Sequence, residues 1–566
     1  MGRLKNKKLT YFLFLLFVFA FASADADPLN VAMGEQLDIN SPLSVDGTSL
    51  NQGYIDNFSA LTNIGDFSNT GSLTNLSSGT FLNTGVFTND GSVNSLSNTV
   101  SNGVGGIWHN NGQLITESLD NAGTFNHNNG GGLIVFGELN SSGVFNQNTQ
   151  LDIESMFNNS GTYNQRNSLE IRGLATLDNT AGSNFINHGQ TIHNEGTLMT
   201  AGVFHNQFGG RIENSGDLVN TGAFTNDGSV NSFNNTVSNG VGGIWHNNGQ
   251  LITESLDNAG TFNHNNGGGL FVFGELNSSG VFNQNTQLDI ESMFNNSGTY
   301  NQHARLENSG QIANQDVFSS NAELENLGTF HNLGETETFD HQPIAAGTLN
   351  INGIVQNVGE ILNEGTVNIE SNALVYGSGS YIQTAGSTHI DGNLQQFTIE
   401  VTGGSLTGNG SLLSFGSSTV LEDVLVDAGS EQEQTGELSI FGDLDFNATL
   451  NIDVAGISNH DFLNVDDITF GEGSRINFLF EENFIATEGM MFDFLLFSSV
   501  TNIENISVFT DGLDSALAVE LLQKQNSLSL LITTNVPLPS SVFMFLSSGL
   551  GLLLLKVRKK QGEGTP

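Results

Sequence analysis

Gly65-Asp66-Phe67-Ser68-Asn69-Thr70-Gly71, answered twenty residues later by Gly85-Val86-Phe87-Thr88-Asn89-Asp90-Gly91, decides the fold of this 566-residue chain. Each stretch opens on a glycine, places a large apolar residue two positions on, and closes on Asn-x-Gly. The glycine and apolar pair returns as Gly105/Ile107, Gly123/Phe125, Gly143/Phe145, Gly161/Tyr163, Gly202/Phe204 and Gly222/Phe224. Between Gly161 and Gly202, Gly182 with Phe185 falls one residue out of phase, so that interval reads as two coils with a small bulge. A repeat of this length built from short alternating stretches predicts an all-β chain, a parallel β-helix (β-solenoid) of about 20-residue coils with two to three short strands each. Gly is expected to supply positive φ at the corners. Asn is expected to tolerate the left-handed region there while its amide bonds an identical Asn one coil away. Inward Phe side chains would stack into a continuous core. So much Gly, Asn and β-branched residue opposes long helices.

A longer repeat overlies the coil. Asn83 to Gln165 returns as Asn220 to Gln302 with four substitutions, Val86/Ala223, Leu96/Phe233, Ser97/Asn234 and Ile134/Phe271. The offset of 137 residues equals seven whole coils on the glycine spacing, an insertion that a solenoid absorbs without losing register. At about 4.8 Å per coil, twenty or more coils would make a rod on the order of 100 Å long. Residues 25–50 read as an N-terminal cap and 51–391 as the Asn/Gly-rich repeats. In 392–535 Asn thins and strands lengthen, as in Gly436 to Asp443 and Leu450 to Val454, which reads as a second solenoid segment with a C-terminal cap.

Composition narrows the chemistry. The net charge is -44, and eight of the fourteen Lys and Arg residues lie at the two ends. Between them stand only Arg166, Arg172, Arg211, Arg305, Arg475 and Lys524. Such a body repels nucleic acid and anionic lipid, so its partners should be neutral, cationic or bridged by divalent ions. Absence of Cys excludes disulfides, thiolate metal sites and cysteine nucleophiles. The aromatic content is 41 Phe against 6 Tyr and 2 Trp, which suits an interior and not a carbohydrate platform.

Both ends carry sorting features. Residues 1–24 read as a signal peptide: basic Arg3 to Lys8, apolar Tyr11 to Phe21, then Ala22-Ser23-Ala24, with cleavage after Ala24 and the Sec translocon as the implied partner. An uncleaved anchor helix is the alternative. Residues 536–566 run Val536-Pro537-Leu538-Pro539-Ser540-Ser541, an apolar stretch from Val542 to Leu555, and a positive stop at Lys556, Arg558, Lys559 and Lys560. That stretch predicts a short transmembrane helix whose basic end stays cytoplasmic. The tail resembles the PEP-CTERM class of sorting signals, in its Val-Pro-Leu-Pro variant. The resemblance covers the last 25 to 30 residues and rests on Val536, Pro537 and Pro539, with Leu538 where the class usually has Glu. It implies an exosortase-like membrane enzyme as partner, an inner-membrane-anchored intermediate, and a destination at the surface or in the extracellular matrix of a Gram-negative bacterium that makes exopolysaccharide. A simple tail anchor is the bland alternative. Residues 430–535 loosely resemble the C-terminal passenger region of autotransporter-type adhesins.

No residues stand out as catalytic, cofactor-binding or metal-ligating. A polysaccharide-cutting β-helix needs clustered carboxylates with Arg or Lys beside them, whereas Asp90, Glu195 and Glu364 fill turn slots that Thr, Ser or Ala fill elsewhere. The histidines of Trp108 to Gly112 and Asn126 to Gly130, repeated at Trp245 to Gly249 and Asn263 to Gly267, read as replacements of Asn in corners. Zinc finds no ligand spacing. Calcium is better suited than zinc, because clustered Asp, Glu and Asn offer oxygen ligands, but the sequence lacks the glycine-rich nonapeptide that binds calcium in secreted toxins. The expected function is an exported structural or adhesive cell-surface protein associated with extracellular polysaccharide or biofilm matrix. The alternatives are a polysaccharide-modifying β-helix enzyme and a flat-faced ice- or crystal-binding solenoid.

Overall fold

In the computed structural model of the chain, the described residues are 28–332, 336–337, 343–344, 346–429 and 435–534. They are all-β, forming a parallel β-solenoid of about 21 coils of roughly 20 residues. Residues 1–186 and 187–566 are two compact units, each described by itself below.

In the first unit the opening motif forms the strand Asp66–Asn69, followed in the same coil by Ser72–Asn75 and Thr80–Asn83. Each strand pairs in parallel with its counterpart one coil on, Phe67 opposite Phe87, Leu73 opposite Val93, and Phe81 opposite Val100. Alternation explains the inside: in a four-residue strand, the second and fourth side chains point inward. Phe67 and Asn69 are both buried, while Asp66 is exposed. The inward aromatics form a stack, Phe67, Phe87, Trp108, Phe125, Phe145 and Tyr163, with successive ring centroids 5.3, 4.5, 5.7, 5.0 and 5.5 Å apart.

The expected pair Gly105/Ile107 is displaced by one residue. Trp108, not Ile107, lies opposite Phe87 and Phe125, and Ile107 is 37% exposed. Gly105, at φ +79°, puts an extra residue into the corner, and Gly106 takes the place expected of Gly105.

The corner asparagines are not left-handed. The positive-φ residues other than Gly among those described are Ser77, Asp423 and Asn502. Instead each corner Asn ends a strand and points into the core. Asn51 Oδ1 accepts the Gly53 N–H at 3.1 Å, and its Nδ2 donates to Asn69 Oδ1 at 2.6 Å and to the Ser72 carbonyl at 3.0 Å. The chain of amides continues from Asn69 to Asn89 and from Asn89 to Asn110, each at 2.8 Å. A second chain joins Asn63, Asn83, Asn102 and Asn121. Burial of so many amides is tolerable because their Nδ2 groups donate inside, although Asn63 Oδ1 is buried without a partner. The glycine of Asn-x-Gly serves close approach rather than positive φ: a Cβ on Gly71 would stand 2.2 Å from the Gly53 carbonyl oxygen.

The second unit repeats this plan. Phe204, Phe224, Trp245, Phe262, Phe282, Tyr300 and Phe318 stack inward, and Asn220, Asn239 and Asn258 bond in line. Toward its end the strands run on around corners, as in Thr419–Ala428 and Glu437–Gly456. Parallel stacking then gives way to antiparallel pairing of Ser527–Thr534 with Met491–Leu496 and Leu517–Gln523, which covers a strand edge that would otherwise recruit other chains.

Candidate functional site

The long strand Glu437–Gly456 alternates strictly near its end: Leu450, Ile452 and Val454 are buried, and Asn451 and Asp453 face outward. One coil earlier, Asp427 stands opposite Asn451. A tight hairpin then reverses the chain, pairing Val454 with His460 and Gly456 with Asn459. That reversal carries Asp461 back beside Asp453. The Asp461 N–H donates to the Asp453 carbonyl at 2.9 Å, the Asp453 N–H donates to Asp461 Oδ2 at 2.7 Å, and the Gly436 N–H donates to Asp461 Oδ1 at 2.8 Å. Asp461 is fully buried. One carboxylate oxygen each from Asp427, Asp453 and Asp461 lies within 4.8 Å of the others.

Electrostatics in this cluster oppose full ionisation. Burial pushes the Asp461 carboxyl up to about 8; its two backbone N–H partners pull it down, and the charges of Asp453 and Asp427 push it further up. Asp453 rises to about 6, again through burial first, then the charges of Asp427 and Glu481. Asp427 is raised by burial against the lowering pull of Asn451. A proton held within the cluster relieves this repulsion, and so would a hard divalent cation. Calcium takes six to eight oxygens at about 2.3–2.6 Å, and three converging carboxylates supply part of such a set. Acid–base work on a polymer is a poorer match, because Asp461 is buried and both its oxygens already accept backbone N–H groups.

No sequence motif pointed to this triad. Asp427 and Asp453 sit in successive coils, and Asp461 reaches them only through the hairpin. The readable signal was two acids in similar outward phase about one long coil apart, followed by Asn459-His460-Asp461.

The histidine motifs divide. His127 and His264 do take the inward place of an Asn, whereas His109 and His246 lie outward, hydrogen-bonded through Nδ1 to Asn126 and Asn263. Burial pushes His127 and His264 down to about 4, the Gly131 and Gly268 carbonyls opposing it. Each is therefore a neutral ring whose Nε2–H donates to that carbonyl. Several of the few cations are engaged at the surface, Arg172 with Asp152 and Glu170, Arg305 with Glu307 and Glu325, and Lys524 with Asp493.

Ala22 and Ala24, the motif Val536, Pro537, Leu538, Pro539 and Ser540, and the basic stop at Lys556, Arg558, Lys559 and Lys560 lie outside the described residues. Among the described residues no helix is long and apolar enough to cross a membrane. No family model matches the chain, and no curated protein matches it in sequence.

Proposed function

We propose that the chain is an exported structural or adhesive protein of the Gram-negative cell surface, associated with extracellular polysaccharide or biofilm matrix. The observation that carries this reading is the ladder itself: repeated, cysteine-free coils whose polar outward rows recur with each coil. Repetition of that kind offers many equivalent weak sites, and their sum holds where one would not. The Sec translocon would export the chain, with the signal peptide removed by cleavage after Ala24. An exosortase-like enzyme would then act on the PEP-CTERM-like tail, with Val536, Pro537 and Pro539 as the recognised residues. The acidic triad supports calcium as an accessory ion of the C-terminal segment and not as a reaction centre.

The test is fractionation and proteinase shaving of intact cells, with wild type beside a Pro537→Ala/Pro539→Ala chain. Wild type should be reached by protease at the surface and bind the isolated matrix; the variant should stay full length in the inner membrane. A wild-type chain that is shielded from protease or does not bind the matrix would overturn the reading. An unchanged mass and distribution of the variant would reduce the tail to a plain anchor.

A further inference from the structure

The two copies of the 83-residue repeat differ at four positions, and three of them gather on one surface. On one face of the second unit, His193, Glu213, Asn231, Ile252 and Phe271 stand in register on successive coils. Asn231 Nδ2 bonds Glu213 Oε2 at 3.4 Å, which ties the polar end of the row together. Beside it, at the corner, Phe233 and Phe273 reach across the intervening coil and stack with ring centroids 5.0 Å apart and planes 29° from parallel. Phe233, Phe271 and Phe273 are 53%, 51% and 50% exposed. Next to Phe233 opens a groove of about 300 Å³ lined by His193, Glu195, Glu213, Ser215, Asn231 and Asn234, among others.

The first copy is a natural control. It has Leu96, Ser97 and Ile134 where the second has Phe233, Asn234 and Phe271. The residues below it differ as well, Thr74 and Asp56 occupying the row places of Glu213 and His193. The first copy keeps one exposed aromatic there, Phe136 (50%), the counterpart of Phe273. The Phe233 and Phe271 faces and the groove-lining Asn234 amide belong to the second copy alone, within a scaffold otherwise nearly identical.

Exposed aromatic faces beside a row of hydrogen-bonding side chains match a ligand that is itself two-sided, with C–H groups on one face and hydroxyls around its edge. A saccharide ring has that character. Glu195 in the groove and the acidic body around it repel an anionic chain and equally a second copy of this protein, while Glu213 is paired with Arg211. We infer that the surface formed by Phe233, Phe271, Phe273 and the adjoining groove binds a neutral polysaccharide, sugar rings resting on the Phe faces and hydroxyls bonding Glu213, Asn231 and Asn234. This deepens the adhesive reading above and rests on it.

The test is affinity electrophoresis of the full chain in gels cast with hydroxyethyl cellulose, dextran, galactomannan or alginate. Wild type is compared with Phe233→Leu/Asn234→Ser/Phe271→Ile, which installs the first copy's residues, and with Phe233→Leu alone. Thermal melting checks that the folds are equal. At least one neutral polymer should retard wild type, with affinity about tenfold lower in the triple variant, and alginate should not. Equal retardation of wild type and variants would remove this site while leaving adhesion elsewhere on the chain standing. No retardation of wild type by any neutral polymer would remove the site and count against polysaccharide adhesion as well. Retardation by alginate alone, or a variant altered only in sedimentation, would overturn the inference in favour of an anionic ligand or of self-association.

Discussion

Asn83 Nδ2 donates to Asn102 Oδ1 at 2.7 Å across two successive coils, with both side chains fully buried. Asn102 passes the bond on to Asn121 Oδ1 at 2.8 Å and also reaches the Thr124 carbonyl at 3.1 Å. Replacing Asn102 with Leu keeps the branching but is bulkier, and it deprives Asn121 Oδ1 and the Thr124 carbonyl of the Asn102 donor, while Asn83 Nδ2 keeps the Gly85 and Ile107 carbonyls. An unsatisfied buried polar group costs about 1–3 kcal/mol, so Asn102→Leu should lower unfolding free energy by at least that much in a urea titration. The outward Asn140, bonded to Asp120 at 3.1 Å in exposed surroundings, gives the contrast. Asn140→Ala should stay within about 0.5 kcal/mol of wild type.

Two glycines separate close approach from backbone conformation. A Cβ at Gly143 would stand 2.0 Å from the Gly123 carbonyl oxygen, although its φ is ordinary. Gly105 has open space around it but φ +79°. Gly105→Ala should therefore cost about 1–2 kcal/mol, the strain of one left-handed residue. Gly143→Ala must push two coils apart, and its thermal midpoint should fall well below that of Gly105→Ala. Equal midpoints would refute the close-approach account.

The coil period, the inward aromatics and the bonding of Asn to Asn were legible because each follows from a local rule applied every 20 residues or so. The phase at Gly105 was not. Gly103-Val104-Gly105-Gly106-Ile107-Trp108 contains two glycine and apolar pairs at the same spacing, Gly105/Ile107 and Gly106/Trp108, and only the register with Phe87 and Phe125 selects the second. The role of Asn was half legible: its self-bonding was read, but its inward position depends on the chain turning immediately after the strand. The acidic triad was hidden for a different reason. Its members come from two coils and a hairpin, and no spacing rule links them.

Stability should depend on pH through that triad. The folded-state values of Asp453 and Asp461, about 6 and about 8, lie above the ordinary 3.8. The folded chain therefore binds more protons than the unfolded chain in the window between, and stability falls as pH rises from about 4 through about 8. Millimolar calcium should raise the melting temperature most at the alkaline end, where the carboxylates are ionised. Asp453→Asn leaves the Asp461 backbone bonds in place and removes one repelling charge, so it should flatten both the pH profile and the calcium response. A calcium shift that is the same in Asp453→Asn and wild type would place the ion elsewhere.

The internal repeat makes the boldest test of register. Deleting Asn83 to Val219 joins Leu82 to Asn220 and removes eight buried aromatics: Phe157, and the seven that stack one per coil, Phe87, Trp108, Phe125, Phe145, Tyr163, Phe185 and Phe204. Residue 220 is Asn, as residue 83 is, and Asn220 bonds Asn239 at 2.7 Å as Asn83 bonds Asn102. In the shortened chain Asn63 should therefore meet Asn220, and Phe67 should meet Phe224 in place of Phe87. Every remaining strand keeps a partner in phase, so the far-UV circular dichroism per residue and the resistance to proteinase K should match wild type. A deletion about ten residues longer removes half a coil more. It sets outward side chains against inward ones in the next coil, and a shifted register turns apolar residues toward water. That second variant should expose its core, bind a hydrophobic dye and digest quickly. If the two deletions behave alike, the seven-coil register is wrong, whatever the sequence identity of the two copies.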